Sequence, residues 1–203
     1  SNSNEEGLYI LQTSDNGFAF LSFSHQGADS LALYKTNSSG DVIWQFTYRA
    51  REPVLSGGSS LVYRKLPFDE TIAGGFIIAG DKDPQDDFII KIDMNGVLEW
   101  ETIIEGTSEN QTYVKLIKQT PNGFILGGRK QINTANYKAR LISLDEQGNI
   151  IWDQTYGGLY DDTINDLIVT NNGFVFTGRK RGSGGVSSDQ VWVVKVDYDG
   201  NVI

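Results

Sequence analysis

The chain has 203 residues, and 39% of them are hydrophobic, which is enough for one domain with a core. Its 26 acidic and 17 basic residues leave a net charge of -9, which argues against a general binder of nucleic acid or anionic membranes, because both attract surplus lysine and arginine. The absence of cysteine excludes disulfides, thiolate catalysis and cysteine-based zinc sites, and no apolar run reaches the roughly 18 residues that a membrane helix needs.

The N-terminal tail, residues 1–6, is polar and predicts no regular structure. It is either a tether that remains after removal of an export signal or a remnant of cloning. The rest of the chain, residues 7–203, repeats one pattern four times, so we expect a single domain.

Two sequence markers define the repeat. The first is an Asp or Asn, a Gly three residues later and a Trp four residues beyond that, in segments 37–44, 93–100 and 145–152; a fourth copy, 197–203, stops one residue short of its Trp. The glycines of this marker are 56, 52 and 52 residues apart. The second marker is a Gly-Phe pair preceded by Asn or Gly, in segments 16–18, 74–76, 122–124 and 172–174. A period near 50 residues predicts a propeller or a solenoid.

Each copy contains four short strands and no helical periodicity. In the third copy the predicted strands are 112–120, 123–130, 138–145 and 149–156. Asn-Gly predicts a short hairpin, and Asp-x-x-Gly predicts a type I turn that the Asp side chain caps and that ends in a left-handed Gly. Apolar runs such as Phe76–Ile78 and Val191–Val194 predict strands that are buried on both faces.

Four-stranded antiparallel sheets that are covered on both faces are propeller blades. We therefore predict an all-β propeller with four blades of four antiparallel strands, at roughly 7–48, 59–104, 111–156 and 162–203, with Trp44, Trp100 and Trp152 packed between blades. No strand is left over to fasten the ring across the termini. A closed four-bladed ring is favoured, and the alternatives are an eight-bladed ring made by two chains and a piece of a longer propeller.

These repeats resemble the β-propeller repeats of about 50 residues found in exported bacterial proteins. The fourth copy carries the resemblance best, in Tyr156-Gly157-Gly158, Asp161-Asp162, Asn172-Gly173-Phe174 and Lys195-Val196-Asp197. The resemblance covers nearly all of residues 7–203. It implies a secreted, periplasmic or surface-anchored bacterial protein, often a lipoprotein anchored through a residue upstream of Ser1. A weaker similarity to quinoprotein-type propellers lacks the metal-binding and cofactor-stacking residues, so we predict no cofactor.

The longer connections of a propeller lie on one face, and function tends to reside in such loops. These connections are predicted at 24–30, 81–87, 129–138 and 179–190 within blades, and at 49–59, 105–111 and 157–162 between blades. On this face we expect the ligand-binding residues Asp86, Asp87, Arg129, Lys130, Tyr156, Tyr160, Asp161, Arg179 and Lys180.

Each candidate also has a structural interpretation. The acidic loop 81–87 lacks the ordered spacing and bidentate Glu of a calcium loop, so a solvated loop is favoured over a metal site. The basic pairs 129–130 and 179–180 form either an anion-binding rim or a solubilising surface. Tyr156 and Tyr160 either stack on a sugar or pack between blades. The only histidine, His25, has neither a nucleophile nor an orienting acid suggested near it.

These observations predict a non-catalytic binding or scaffold module, monomeric or homodimeric, whose ligand is a protein or a glycan on the face with the long loops. Two alternatives remain. The first is a glycan-processing enzyme that uses paired carboxylates on the same face, and two buried acids with raised pKa in the central funnel would favour it. The second is a purely structural segment of a larger surface protein.

Overall fold

The computed structural model describes residues 5–24, 30–48, 66–81, 85–107, 110–133, 136–182 and 189–203. In these ranges the chain forms β-strands joined by turns, without any helix. The strands are β1 Glu5–Gln12, β2 Phe18–Ser24, β3 Ser30–Thr36, β4 Val42–Tyr48, β5 Phe68–Glu70, β6 Phe76–Asp81, β7 Asp87–Ile92, β8 Leu98–Ile104, β9 Thr112–Thr120, β10 Gly123–Asn133, β11 Asn136–Asp145, β12 Ile150–Tyr156, β13 Thr163–Thr170, β14 Gly173–Arg181 and β15 Asp189–Val196.

The strands form four antiparallel sheets in which strands consecutive in sequence are neighbours. Blade 1 contains β1–β4, blade 2 β5–β8, blade 3 β9–β12 and blade 4 β13–β15. In place of a fourth strand, the described part of blade 4 has a single β-bridge between Val196 and Val202. Strand β1 begins inside the predicted tail, because Glu5 and Glu6 pair with Ser24 and Phe23 of β2. The prediction of an all-β, four-bladed propeller is confirmed.

The Asp-x-x-Gly turns have the predicted geometry. In blade 3 the Asp145 Oδ1 atom accepts hydrogen bonds from the backbone N–H groups of Gln147 at 2.9 Å and Asn149 at 2.8 Å. Gly148 closes the turn at a φ of 82°, a left-handed value that a residue with a Cβ adopts at a cost. The Asn149 side chain, followed by the backbone donors, lowers the pKa of Asp145. The same capping recurs at Asn37, Asp93 and Asp197.

Three tryptophans connect each blade to the next one. Every indole Nε1 donates to a backbone carbonyl in the Asp-x-x-Gly turn of the following blade: Trp44 to Met94 at 3.0 Å, Trp100 to Glu146 at 2.9 Å and Trp152 to Tyr198 at 2.8 Å. The same rings contact the phenylalanine of the Gly-Phe marker in the following blade, with centroids 5.7, 5.9 and 6.2 Å apart. The predicted position of the tryptophans between blades is confirmed.

Three hydrophobic clusters fill the spaces between consecutive blades. The side chains of Leu21 and Phe76 belong to the cluster between blades 1 and 2, and those of Ile77 and Phe124 to the cluster between blades 2 and 3. A third cluster, with Ile125 and Phe174, joins blades 3 and 4. Alternate residues of one strand therefore pack into different clusters, so the apolar runs of blades 2 and 3 are buried on both faces as predicted.

The outermost face of blade 4 is not covered in this way. Val191 and Val193 of β15 are 87% and 64% exposed, so the prediction that the run Val191–Val194 is buried on both faces is wrong. The reason is that blade 4 packs against blade 3 on one side only. Among the residues that the structure describes, no hydrophobic cluster joins blade 4 to blade 1.

Candidate functional site

The topology separates the connections onto two faces. The turns between β1 and β2 and between β3 and β4 lie at one end of blade 1, and the connection between β2 and β3 lies at the other end, which we call the long-loop face. Several predicted loops of this face lie outside the described residues, including His25 and the segments 49–65, 82–84 and 183–188. The described part of the long-loop face is most complete around blades 3 and 4.

The predicted loop 129–138 is largely strand. Strands β10 and β11 extend to Asn133 and Asn136, so Arg129 and Lys130 lie within β10. Arg179 and Lys180 likewise lie within β14. The hairpins are longer than the sequence suggested because polar residues continue the strand pairing beyond the apolar run.

The guanidinium group of Arg129 lies against two tyrosine rings. Its Cζ atom is 4.8 Å from the ring centroid of Tyr113 and 4.2 Å from that of Tyr137. The two rings meet edge to face at 5.7 Å, and the Tyr113 hydroxyl is hydrogen-bonded to Gln111. Contacts of this kind hold a cation by the negative faces of the rings without neutralising its charge. We call Arg129, Tyr113 and Tyr137 the Arg129 platform; all three side chains are partly exposed.

Arg129 differs from the other arginines that the structure describes. Each of the others pairs with an aspartate: Arg140 with Asp153 at 2.7 Å, Arg179 with Asp189 at 3.4 Å and Arg181 with Asp161 at 3.2 Å. Within the described residues no carboxylate pairs with Arg129, and its Nε atom has no hydrogen-bond acceptor. The Arg129 platform therefore presents a positive charge whose counter-ion the described chain does not supply.

The loop between blades 3 and 4 borders this platform. The Asp161 side chain accepts a hydrogen bond from the backbone N–H of Tyr137 at 3.0 Å, which ties the loop to the platform strand. The buried Asp162 side chain accepts hydrogen bonds from the backbone N–H groups of Gly158 at 2.7 Å and Arg181 at 3.0 Å. Both acids thus stabilise the loop, and they leave the partly exposed ring of Tyr160 beside them.

The remaining predicted site residues have structural contacts of their own. Lys180 lies over the ring of Trp192 in blade 4, with its Nζ atom 5.4 Å from the centroid. Asp86 accepts a hydrogen bond from Gly106 N–H at 2.7 Å. Asp87 is fully buried at the start of β7 and accepts a hydrogen bond from Val114 N–H at 3.1 Å.

Tyr156 packs between blades instead of facing a ligand. It is buried, its hydroxyl donates to the Gly200 carbonyl at 2.8 Å, and its ring lies 5.3 Å from that of Phe176. Burial, with a smaller contribution from Asp197, raises the pKa of Tyr156 to about 12. The structural interpretation of Tyr156 therefore applies, and the sugar-stacking interpretation does not.

The carboxyl groups with shifted pKa values lie in turns. They are Asp15, Asp93, Asp145 and Asp197, and hydrogen bonds to these carboxylates lower the pKa in each case. Asp15 also pairs with Lys35 at 2.8 Å. In the described ranges no group of three or more His, Cys, Asp or Glu side chains could hold a metal ion, and no helix is long and apolar enough to span a membrane.

Sequence reasoning missed the two tyrosines of the platform. Counting back from the Gly123 turn along a regular hairpin places Val114 opposite Arg129. The register shifts by one residue between Gly127 and Gly128, and this bulge places Tyr113 there instead. The signal in the sequence was the pair of adjacent glycines in β10, since glycine inside a strand often marks a bulge.

Comparisons with known proteins identify the fold. No protein-family model and no curated protein matches the sequence. A subtype N10 neuraminidase-like protein of A/little yellow-shouldered bat/Guatemala/060/2010 matches with a TM-score of 0.52 at 9% identity, over 96% of this chain and 56% of that one. A Bifidobacterium bifidum s17 protein assigned as an exo-beta-1,3-galactanase matches at 12% identity and a TM-score of 0.47, over 95% of this chain and 68% of that one. A eukaryotic initiation factor matches at 8% identity and a TM-score of 0.37, over 97% and 54%.

The chain is thus structurally similar to β-propeller proteins over nearly its whole length. It spans a little over half of the neuraminidase-like protein that it matches. At these identities the likeness shows the fold alone.

Proposed function

We propose that this protein is a non-catalytic binding module of an exported bacterial protein, and that its ligand is a carboxylate-bearing glycan or protein segment bound on the long-loop face. The observation that carries the proposal is Arg129, whose guanidinium lies against two tyrosine rings and is not neutralised by any described carboxylate. The exported location rests on the resemblance of the repeats.

The chemistry of the platform suits such a ligand. A guanidinium binds a carboxylate through two parallel hydrogen bonds, and these charge-assisted bonds are stronger than neutral ones. Aromatic rings beside the cation offer apolar area for a sugar face or an aliphatic side chain. Because the two rings already hold Arg129 in place, little side-chain entropy is lost when a ligand binds.

Specificity would come from the neighbouring charges. The net charge of -9 disfavours nonspecific attraction of anions, so an acidic ligand has to find a local positive site. Arg181 lies across the junction with blade 4, where it is paired with Asp161, whereas Lys130, the residue after Arg129 in β10, lies on the opposite face of blade 3. An acidic ligand would therefore bind at the junction of blades 3 and 4.

The experiment is a binding screen followed by a matched pair of variants. The purified chain is applied to an array of neutral, carboxylated and sulfated oligosaccharides and acidic peptides, and the best binder is titrated by calorimetry. We expect Arg129→Gln to weaken binding at least tenfold, which corresponds to about 1.4 kcal/mol. Arg179→Gln is the control, since Arg179 occupies the equivalent place in β14 but is already paired with Asp189, and we expect less than a threefold change.

Two results would count against the proposal. One is an array without any binder among the acidic compounds. The other is a binder whose affinity is reduced equally by Arg129→Gln and Arg179→Gln, which would indicate a general charge effect. Turnover of an oligosaccharide on the array would instead support the glycan-processing alternative.

A further inference from the structure

The outward faces of blades 1 and 4 carry apolar side chains in positions where a solvated sheet has polar ones. On blade 4 the exposed residues are Ile168, Val191 and Val193, at 59%, 87% and 64% exposure. On blade 1 Ile10 is 70% exposed, and it begins a row of paired residues that continues through Phe20 and Tyr34, whose rings stack at 4.8 Å. The blade 4 face also carries Thr177 and Lys195, but exposed apolar side chains that are neighbours on one face of a sheet mark a contact surface.

The outward faces of blades 4 and 1 correspond to the two sides of the interface between consecutive blades. Between blades 1 and 2, Ala19, Leu21 and Leu33 of one blade pack with Phe76, Ile78 and Ile90 of the next. Counted from the Gly-Phe marker, the outward residues Val175, Thr177 and Val193 of blade 4 occupy the places of Ala19, Leu21 and Leu33. The outward residues Phe18, Phe20 and Tyr34 of blade 1 occupy the places of Phe76, Ile78 and Ile90. Each face is one half of an interface that the fold forms three times.

The Asp-x-x-Gly turn of blade 1 gives a second, independent observation. A Cβ atom added to Gly96 or Gly148 would lie 2.8 or 2.6 Å from the indole of the preceding blade, and one added to Gly200 would lie 3.3 Å from Trp152. The same atom added to Gly40 would meet nothing within 4 Å. Gly40 nevertheless has a φ of 89°, the same conformation as the other three. The turn of blade 1 therefore leaves open the place that the indole of the preceding blade occupies at the other three turns.

We propose that two copies of this chain associate head to tail, with the outward face of blade 4 of each copy packed on the outward face of blade 1 of the other. A second copy is the occupant that the faces fit, because it supplies both kinds of face at once. Two such contacts join all four outward faces and complete a ring of eight blades. Head-to-tail contacts of this kind form a closed ring when the rotation that relates one copy to the next returns to the first copy, and they form open filaments when it does not.

The first test is the mass of the purified chain in solution. Sedimentation equilibrium over a hundredfold concentration range should give about 45 kDa, twice the 22.5 kDa of one chain. Val193→Lys on blade 4 and Tyr34→Glu on blade 1 should each restore 22.5 kDa, since both interfaces of the pair then bury a charge. Ile72→Glu is the control, because Ile72 is 88% exposed in a turn of blade 2 and should leave the mass unchanged.

Mixing the two variants separates the head-to-tail arrangement from other dimers. A pair made of one Val193→Lys chain and one Tyr34→Glu chain has one unaltered interface, and its other interface joins Lys to Glu. The mixture should therefore associate although neither variant does so alone. Circular dichroism of each variant checks that the exposed substitutions leave the strands intact.

Four results would overturn the proposal. They are a wild-type mass of 22.5 kDa at every concentration, a dimer that survives both variants, a mixture that stays monomeric, and assemblies larger than two chains. The first would indicate closure within one chain or covering by further blades, and the last would show that the faces fit but the ring does not close with two chains.

Discussion

The contact between a turn glycine and the tryptophan of the preceding blade can be tested by a matched pair of substitutions, Gly148→Ala and Gly40→Ala. The two glycines have φ values of 82° and 89°, so the backbone cost of an added Cβ is the same at both. That cost is about 1–2 kcal/mol, and the reduced freedom of the unfolded chain offsets roughly 0.4–1 kcal/mol of it. Gly40→Ala, which meets no atom within 4 Å, should therefore lose about 1 kcal/mol of unfolding free energy.

Gly148→Ala should lose considerably more. The added Cβ would lie 2.6 Å from the Trp100 ring, closer than such atoms approach in proteins, so the indole has to move. Its movement breaks the 2.9 Å hydrogen bond to the Glu146 carbonyl, a loss of about 1 kcal/mol, and disturbs the contact with Phe124, a loss of about 0.5–1.5 kcal/mol. The total loss for Gly148→Ala is then about 3 kcal/mol.

Urea denaturation followed by circular dichroism measures both losses, provided that the slope with denaturant stays constant. Equal losses for Gly148→Ala and Gly40→Ala would refute the reasoning, because they would show that the tryptophan contributes nothing beyond the backbone. A further check is Gly148→Ala in a Trp100→Ala background. There the loss should fall to that of Gly40→Ala, since no indole remains to be displaced.

Two further predictions concern buried polar groups. Tyr156→Phe should lose about 1 kcal/mol at neutral pH with the hydrogen bond to Gly200. Folding raises the pKa of Tyr156 from 10.0 to about 12, so its contribution to the stability of the wild-type protein is complete below pH 10 and is lost as the pH rises towards 12. The urea midpoint of Tyr156→Phe should therefore fall less steeply with pH across this range than that of the wild-type protein. Asp153→Asn should lose about 3 kcal/mol, because the buried guanidinium of Arg140 loses two charged bonds of 2.7 Å. Asp69→Asn, at the exposed ion pair with Lys118, should change the unfolding free energy by less than about 0.5 kcal/mol. Equal losses for Asp153→Asn and Asp69→Asn would show that burial of Arg140 does not strengthen its ion pair.

The local features of the fold were predictable because each depends on residues close together in sequence. Asp145 and Gly148 suffice to define their turn, and the recurrence of the same spacing in every copy identifies it as a structural element. The tryptophans were predictable for a related reason. Each tryptophan follows its Asp-x-x-Gly turn at the same distance and therefore has the same neighbours in each repeat. A position between blades that is predicted for one tryptophan thus applies to all three.

The candidate site was only partly predictable. Arg129 and Lys130 could be placed on the long-loop face by counting strands, and Tyr137 follows from the regular pairing of β10 with β11. The contact of Arg129 with Tyr113, however, depends on a bulge that shifts the register of β9 and β10 by one residue. The sequence makes Tyr156 and Asp87 candidates for ligand binding, because one is aromatic, the other is charged and both lie near predicted loops. Their burial depends on the neighbouring blade, which the local sequence does not describe.

The amino-acid sequence by itself determined the period, the turns, the strands and the tryptophan contacts, since all of them follow from local conformational preference and from spacing. The tertiary structure decided which faces are covered and which arginine lacks a carboxylate partner. The apolar run Val191–Val194 has the composition of a strand buried on both faces, yet two of its valines are exposed. A run of apolar residues indicates a strand that is more stable when both of its faces are covered. Only the packing of whole sheets shows whether another part of the described chain covers them.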